Sequence, residues 1–298
     1  MRRRFITADV FTDQPFGGNP LAVLPDARGL TSDQMQILAR EFNLSETVFV
    51  LPPDDPTHTN RLRIFVPKHE IPFAGHPTIG TAIILAGLAG FDAAGEQVGI
   101  VFEMNAGLVP VTIRFSDGKP VNATLTAPKR PEVGEAPTCE QMAAFLSLST
   151  DDVLATGAAS SGNPFLLVKV KDRAALARSR INLAVLDQID DLFAKEPLVF
   201  TEDAADGFDY QARMFAPLSG IPEDPATGSA AAALAGWLGV HDTMENGTLR
   251  RVIAQGIEMG RPSRLEIEIN KQDGEVADVR VTGSAVLISE GSIEEPPA

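Results

Sequence analysis

The chain has 298 residues, of which 44% are hydrophobic and 22% are charged, and its formal net charge is −15. This balance is typical of a globular protein with one large or two ordinary domains, and the chain is long enough to bury a core without disulfide bonds. The acidic charge argues against nucleic acid and anionic membranes as partners, because both repel an acidic surface.

Several features of the sequence predict a cytoplasmic protein. The single cysteine, Cys139, excludes an internal disulfide and favours a reducing compartment. Acidic residues interrupt the N-terminal segment where a secretory signal would need an apolar run. The longest apolar helical stretches, residues 77–90 and 225–240, are shorter than the ~20 residues that span a bilayer.

Short strand-like runs recur along the whole chain, and predicted helices are fewer. The first helix is predicted at residues 32–41, where Thr31 and Gln34 have capping-box spacing ahead of an apolar stripe. Two further helices are predicted at residues 138–147 and 172–179, in addition to the two apolar stretches. Many strands with a few helices indicate an α+β fold.

Three pairs of similar segments run in the same order through the two halves of the chain. They are GNPLAVL and GNPFLLV (18–24, 162–168), RIFVPKHEIP and RMFAPLSGIP (63–72, 213–222), and HPTIGTA and DPATGSA (76–82, 224–230). Such a pattern predicts two structurally similar halves related by a pseudo-two-fold. Recurring turn chemistry, without a structural repeat, is the alternative.

The proline-rich segment 127–138 is the best candidate for a linker between the halves. We therefore predict a first domain of residues 1–127 and a second domain of residues 128–282. Whether residues 283–298 return to complete the first domain is left open.

The last pair of similar segments sets a polar residue before a proline at the start of an apolar helix. Pro77 and Pro225 fit the first helical position, so His76 and Asp224 are predicted at or beside the N-cap. A buried helix start has free N–H groups and a partial positive charge, which together bind anions. We expect the two helix starts to face one cleft between the domains and to hold a carboxylate there.

The sequence lacks the motifs that would indicate several other kinds of functional site. The G-x-x-x-x-G spacing of Gly75 and Gly80 is not followed by the lysine that a phosphate-binding loop needs. His69 and His76 are seven residues apart with a proline between them, so they cannot share a helical face as zinc ligands. No dinucleotide-binding G-x-G-x-x-G follows a strand, and no G-x-S-x-G elbow of a serine hydrolase exists.

Glu46 is the candidate general base. In NLSETVFVL (43–51) a period of two puts Glu46 on one strand face with Leu44, Val48 and Val50. Desolvation on such a face would raise the pKa of the carboxyl toward neutrality, as a general base requires. A glutamate that begins the strand and simply reaches solvent fits the spacing too, and the spacing alone favours it.

Taken together, these segments resemble the PhzF-like family of phenazine biosynthesis, which has the diaminopimelate epimerase-like fold. Five segments carry the resemblance in order over almost the whole chain: DVFTDQPFGGNPLAVL (9–24), NLSETVFV (43–50), PFAGHPTIGTA (72–82), EDPATGSAAAAL (223–234) and QGIEMGRPSRLEI (255–267). The resemblance implies two pseudo-symmetric domains, each a β-barrel-like sheet around a central helix, with the active-site cleft between them. It also implies a homodimer that needs no cofactor and no metal.

The resemblance implies roles for individual residues as well. Glu46 of the SET motif would shuttle a proton, with His76, Asp224 and Ser229 as supporting catalytic groups. Substrate-binding roles are implied for Gly75, Gly228, Ser45, Asn19 and Asn163.

We therefore predict a cofactor-independent isomerase of a small anionic, carboxylated metabolite, in which Glu46 moves a proton between two carbons. Epimerases of this fold use a cysteine from each half, whereas this chain has only Cys139, which we interpret as structural because nothing local would make its thiol reactive. Two alternatives stay open: a racemase or epimerase that uses carboxylate and imidazole groups, and a metabolite-binding protein without turnover. The sequence does not identify the substrate.

Overall fold

The computed structural model describes residues 1–89, 96–186, 189 and 192–297. The chain forms two compact units, residues 1–128 with 282–298 and residues 129–281. The domain borders predicted from the sequence fall beside these boundaries. Residue 90, the last of the predicted apolar stretch 77–90, lies outside the described residues.

The structure contains eighteen strands and six α-helices in its described part, together with short 3₁₀ turns at Thr150–Asp152 and Pro217–Ser219. The strands are β1 Arg2–Val10, β2 Asn19–Leu24, β3 Glu46–Leu51, β4 Asn60–Phe65, β5 Glu70–Ile71, β6 Gln97–Met104, β7 Gly107–Ser116, β8 Lys119–Thr126, β9 Glu132–Val133, β10 Val153–Ser160, β11 Pro164–Val170, β12 Pro197–Thr201, β13 Tyr210–Ala216, β14 Ile221–Asp224, β15 Gly247–Gln255, β16 Ser263–Gln272, β17 Glu275–Gly283 and β18 Ala285–Glu294. The helices are α1 Ser32–Phe42, α2 Gly75–Ala89, α3 Cys139–Phe145, α4 Arg173–Arg178, α5 Leu183–Leu186 and α6 Gly228–His241.

The strands of the first unit pair side by side within one sheet. Strands β1 and β2 pair antiparallel, β2 and β3 parallel, β3 and β4 antiparallel, β4 and β6 parallel, and β6 and β7 antiparallel. Strand β8 extends the sheet beyond β7, and the C-terminal strand β18 pairs antiparallel with β1. Residues 282–298 therefore belong to the first unit.

The second unit repeats this pattern of pairings. Strands β10 and β11 pair antiparallel, β11 and β12 parallel, β12 and β13 antiparallel, β13 and β15 parallel, and β15 and β16 antiparallel. The short strands β5 and β14 also occupy equivalent places, since each pairs antiparallel with the preceding long strand. The predicted repeat is confirmed, because turn chemistry alone would not reproduce a sheet order.

One apolar helix lies at the centre of each sheet. Helix α2 packs against strands from both ends of the first sheet, namely β1, β2, β3, β7, β8 and β18. Helix α6 packs in the same way against β9, β10, β11 and β16. Both helices are apolar on nearly all sides, so burial stabilises them only when strands cover every face. The α+β fold with a central helix in each domain is as predicted.

The polar helices begin where their capping residues predict. Thr31 and Thr138 both form capping boxes, with Gln34 and Gln141 as their partners, at the starts of α1 and α3. The N-cap of α4 is Asp172, whose side chain accepts the N–H of Ala175. None of the helices in the described part of the chain combines the length and apolar character that crossing a membrane would take.

Two predictions from the sequence are wrong in detail. The boundary between the units, after residue 128, falls within the candidate linker 127–138, but this segment is not free of structure, since it contains β9, which pairs with β10. Neither proline occupies the first helical position: Pro77 is the third residue of α2, and Pro225 precedes α6 by three residues. The first four N–H groups of a helix have no intrahelical acceptor, so Pro77 fits the third position of α2, whereas Pro225 lies in the turn that precedes α6.

Candidate active site

The fold of the first unit brings together three of the predicted site residues. Asn19 begins β2, Glu46 begins the parallel neighbour β3, and His76 is the second residue of the central helix α2. Leu21 of β2 is in register with Glu46, so these strand starts lie at one edge of the sheet. Because α2 packs against both strands, its N-terminal turn reaches the same edge.

The three side chains make close polar contacts in a buried setting. Asn19 Nδ2 lies 3.1 Å from His76 Nδ1, and His76 Nε2 lies 3.3 Å from Glu46 Oε2. The second distance is slightly longer than an ordinary N–H···O hydrogen bond. Asn19 is fully buried, His76 is 2% exposed and Glu46 is 8% exposed. Glu46 is therefore not a strand-start glutamate that simply reaches solvent.

His76 is a neutral ring at physiological pH. Burial lowers its pKa from 6.5 to about 3, because the imidazolium would lose its hydration. A neutral imidazole carries one N–H, and a carboxylate oxygen can only accept a hydrogen bond. Because the amide nitrogen of Asn19 faces Nδ1, Nδ1 accepts and the ring proton is on Nε2. Nε2 and Glu46 Oε2 are 3.3 Å apart but do not have the geometry of a hydrogen bond.

The corresponding region of the second unit is built around a carboxylate. Asp224 is the last residue of β14 and is 5% exposed. Its Oδ2 accepts a short hydrogen bond of 2.5 Å from the hydroxyl of Thr227. Gln255, at the end of β15, contacts both residues: Nε2 lies 2.7 Å from the carbonyl oxygen of Asp224 and 3.1 Å from Thr227 Oγ1, and Oε1 accepts the N–H of Thr227 at 3.1 Å.

These contacts explain why α6 starts later than predicted. The segment between Asp224 and Thr227 is held as a turn by Gln255 and by Ser263, whose hydroxyl donates to the carbonyl of Pro225 at 3.0 Å. Thr227 is the N-cap of α6, but its side chain bonds to Asp224 and caps no N–H of the helix. The helix therefore begins at Gly228.

The first turn of α6 offers donors for an anion. Gly228 and Ser229 are buried, and no group among the described residues accepts their backbone N–H or the hydroxyl of Ser229. An uncapped helix start carries partial positive charge and binds carboxylates well. Such an arrangement of donors at the start of α6 is the one expected of a binding site for an acidic ligand.

The remaining predicted site residues and Cys139 differ in burial and position. Gly75 is the buried first residue of α2, and Ser45 is half-buried directly before β3. Asn163 is half-buried in the turn that precedes β11, whereas its sequence counterpart Asn19 is fully buried. Cys139 is half-buried at the start of α3 and packs on the apolar core of the second unit.

Sequence reasoning missed Thr227 and Gln255. Both lie within segments that carried the family resemblance, DPATGS and QGIEMGRPS, but neither was assigned a role. The signal was the glycine after Gln255: Gly256 has φ +74°, and an added Cβ would lie 2.6 Å from the carbonyl oxygen of Pro225. Glycine at that position marks a close approach of β15 to the Asp224 segment.

No metal-binding constellation is present in the residues that the structure describes. A search of them finds no group of three or more His, Cys, Asp or Glu side chains that could hold a metal ion. The polar clusters at Glu46 and Asp224 consist of hydrogen bonds and close polar contacts.

The sequence resembles known isomerases over its whole length. It matches the family profile of phenazine biosynthesis-like protein (PhzC-PhzF) over residues 8–291. An uncharacterized isomerase of Mesorhizobium japonicum is 40% identical over 301 residues, covering 98% of each chain. Trans-2,3-dihydro-3-hydroxyanthranilate isomerase of Pseudomonas aeruginosa is 35% identical over 297 residues, covering 97% of this chain and 98% of that protein.

Solved structures show the same fold. A Bacillus anthracis phenazine biosynthesis protein of the PhzF family superimposes with a TM-score of 0.86 at 25% identity, covering 99% of both chains. A hydroxyproline epimerase from Agrobacterium vitis superimposes with a TM-score of 0.68 at 14% identity, covering 99% of this chain and 94% of that one. The second likeness concerns the fold alone.

Proposed function

Because the chain belongs to the phenazine biosynthesis-like (PhzC-PhzF) family and is an isomerase, we propose that it moves a proton within a small carboxylated metabolite without a cofactor. The observation that carries this proposal is the buried carboxylate of Glu46 beside the neutral N–H of His76. A cleft between the domains, a homodimer and a cytoplasmic location stay predictions from the sequence.

Glu46 is the proposed base because the neighbouring imidazole is a poor one. With a pKa of about 3, His76 takes up almost no proton at neutral pH, whereas a carboxylate can accept one. Nε2 of His76 instead lies 3.3 Å from one carboxylate oxygen of Glu46, close enough to position that carboxylate. A general base positioned in this way contributes about 10²–10⁴ in rate.

The proposed reaction conserves all atoms. Glu46 removes a proton from an activated carbon, the electron pair of the broken C–H bond shifts the adjacent double bond, and Glu46 returns the proton to a second carbon. Ser229 donates a hydrogen bond to the negative charge that develops, and Asp224 acts as a supporting acid/base group. The N–H groups at the start of α6 hold the substrate carboxylate, as local donors must in a protein whose net charge of −15 repels anions.

The name of the Pseudomonas aeruginosa relative supplies the proposed substrate class. That protein is a trans-2,3-dihydro-3-hydroxyanthranilate isomerase and is 35% identical to this chain. We expect the substrate here to be of the same chemical class, a partly reduced ring that bears a carboxylate, since Gly228 and Ser229 offer donors for that group.

Turnover of trans-2,3-dihydro-3-hydroxyanthranilate, followed by proton NMR, tests the proposal. The wild-type protein should shift a ring double bond, and Glu46→Gln should lose about 10²–10⁴ in kcat, because Gln keeps the shape but not the base. Glu103→Gln is the control, since Glu103 also contacts a histidine, His58, at 2.8 Å outside the site. Activity of Glu46→Gln within a few-fold of wild type would contradict the role of Glu46. Inversion at one carbon without a double-bond shift would identify a racemase or epimerase instead.

A further inference from the structure

Gln255 has a set of hydrogen bonds that the proposed reaction does not yet use. Its side chain is 1% exposed, and its amide bonds to three groups of the Asp224–Thr227 turn. A buried amide with both ends engaged is rigid, because leaving either end unpaired would cost roughly 1–3 kcal/mol.

The chemistry of these partners fixes which way the amide points. The backbone N–H of Thr227 can only donate, so it must face Oε1, and the carbonyl oxygen of Asp224 can only accept, so it must face Nε2. The second hydrogen on Nε2 then points at Thr227 Oγ1, 3.1 Å away. Thr227 Oγ1 is therefore an acceptor toward Gln255.

The direction of the next hydrogen bond follows. A hydroxyl has one proton, and with Gln255 donating to its oxygen that proton is directed to the carboxylate of Asp224, which accepts at Oδ2. Gln255 thus occupies the acceptor side of the Thr227 hydroxyl and leaves its single proton for Asp224.

We propose that Gln255 is a positioning residue for the reaction: through Thr227 it fixes the orientation of the Asp224 carboxylate. This inference rests on the proposed role of Asp224 as a supporting acid/base group. Gln255 itself acts only through Thr227.

Gln34 provides a matched comparison within the same chain. Its Oε1 also accepts a threonine N–H, that of Thr31 at 2.9 Å, and its Nε2 also donates to a carbonyl oxygen, that of Pro296 at 2.8 Å. Gln34 is 6% exposed. It lacks the third bond, from the amide nitrogen to a hydroxyl that holds a carboxylate. Any effect common to Gln34 and Gln255 is therefore structural, and an effect of Gln255 alone belongs to the Thr227–Asp224 bond.

Replacement of each glutamine by methionine tests the proposal. Gln255→Met should lower kcat about 10- to 100-fold with KM within a few-fold, because a small misorientation of an acid/base group affects the transition state most. Gln34→Met should leave kcat unchanged. Equal losses in both variants, or no loss in Gln255→Met, would overturn the proposal.

The hydroxyl of Thr227 can be tested without disturbing Gln255. Thr227→Ser keeps the hydroxyl and should retain most of kcat, whereas the isosteric Thr227→Val should lose as much as Gln255→Met. The double variant Gln255→Met/Thr227→Val should lose no more than Thr227→Val alone, since both changes remove one interaction. Additive losses would show that Gln255 does not act through Thr227.

Crystal structures of Gln255→Met and Gln34→Met separate this inference from the proposed function. The inference expects the distance from Thr227 Oγ1 to Asp224 Oδ2 to exceed hydrogen-bond length in Gln255→Met only. An unchanged distance would refute the inference even if the isomerase activity is found. A lengthened distance in a protein that does not turn over the substrate would leave the positioning intact and refute the proposed function.

Discussion

Glu46 and Glu196 occupy the same place in the two units, but their surroundings differ. Glu46 is the first residue of β3, and Glu196 directly precedes β12, the equivalent strand of the second unit. The residue three positions after each glutamate is in register with an equivalent arginine, Arg63 or Arg213. Glu46 is buried against the ring of His76, whereas Glu196 is half-buried and accepts a hydrogen bond from the hydroxyl of Ser219 at 2.6 Å. The repeated scaffold therefore supplies two carboxylates, and local partners decide which one resembles a general base.

The two helix starts differ in a related way. His76 in the first unit and Asp224 in the second are aligned in sequence, and each is contacted by a buried amide, Asn19 or Gln255. In the first unit the amide sets which ring nitrogen carries the proton. In the second unit the amide of Gln255 donates to the hydroxyl of Thr227, whose own proton goes to Asp224. The same kind of side chain thus fixes the proton position on an imidazole and the orientation of a carboxylate.

The largest expected effect tests the inequality of the two glutamates. Glu46→Gln should lose about 10²–10⁴ in kcat, whereas Glu196→Gln should stay within a few-fold of wild type, because Glu196 is half-buried and accepts a hydrogen bond from the hydroxyl of Ser219. Steady-state kinetics of both variants decide the matter. Equal losses would indicate a two-base reaction in which both units supply a carboxylate.

The neutral ring in the first unit should make stability depend on pH. The pKa of His76 is about 3 in the folded protein and 6.5 as the ordinary value, so between these values the unfolded chain binds a proton that the folded protein does not. Stability from this source is present above pH 6.5 and is lost as the pH falls toward 3. The loss amounts to at most about 5 kcal/mol.

Urea unfolding of His76→Gln against wild type measures this dependence. The variant should lose less stability than wild type between pH 6.5 and pH 3, while His69→Gln, at an exposed histidine, should behave as wild type. Parallel pH profiles of wild type and His76→Gln would show that the ring is not held neutral by burial.

Two glycines that follow Gln255 in the chain, Gly256 and Gly260, test how tightly the backbone packs in this part of the second unit. Gly256 has φ +74°, and an added Cβ would lie 2.3 Å from the carbonyl oxygen of Arg261. Gly260 has φ +70° but nothing within 4 Å of its added Cβ. Gly260→Ala should therefore cost about 1–2 kcal/mol from its conformation alone, and Gly256→Ala should cost a further ~1–3 kcal/mol from the clash. Equal losses in the free energy of unfolding for the two variants would mean that the turn after Gln255 can shift to make room for the added methyl group.

The sequence predicted most of the fold because its signals are local or repeated. The capping boxes at Thr31 and Thr138 fix helix starts within four residues of chain, and the paired segments disclosed the duplicated sheet. The start of α6 was mispredicted because it depends on Gln255, 28 residues away from Thr227 in sequence. No local pattern carries such a contact.

The residues of the candidate site were also predictable where the signal is local, and were missed where it depends on contacts distant in sequence. Glu46 and His76 stood out because an ionisable residue in an apolar setting is unusual. Gln255 did not, since the chemistry of an amide becomes visible only when its partners are known. The short strand β9 was likewise hidden in a proline-rich segment, because its pairing partner β10 lies about twenty residues further along.

A smaller effect is expected from the amide in the first unit. Asn19→Asp places a carboxylate beside Nδ1 of His76, which favours a protonated ring and raises the pKa of His76 from about 3. A cationic ring would bind the carboxylate of Glu46 as an ion pair and slow turnover about 10- to 100-fold. Asn60→Asp is the control, since Asn60 donates to a backbone carbonyl oxygen outside the site. Unchanged kinetics in Asn19→Asp would show that the side chain at position 19 does not control the protonation state of His76.

Nitrogen-15 NMR of the imidazole rings tests the central claim most directly. The chain has four histidines, and His76→Gln identifies the signals of His76. The account predicts that His76 stays neutral from pH 8 down to about pH 4, with the proton on Nε2 and an unprotonated Nδ1, because burial lowers its pKa to about 3. An imidazolium at neutral pH, or a proton on Nδ1, would contradict it.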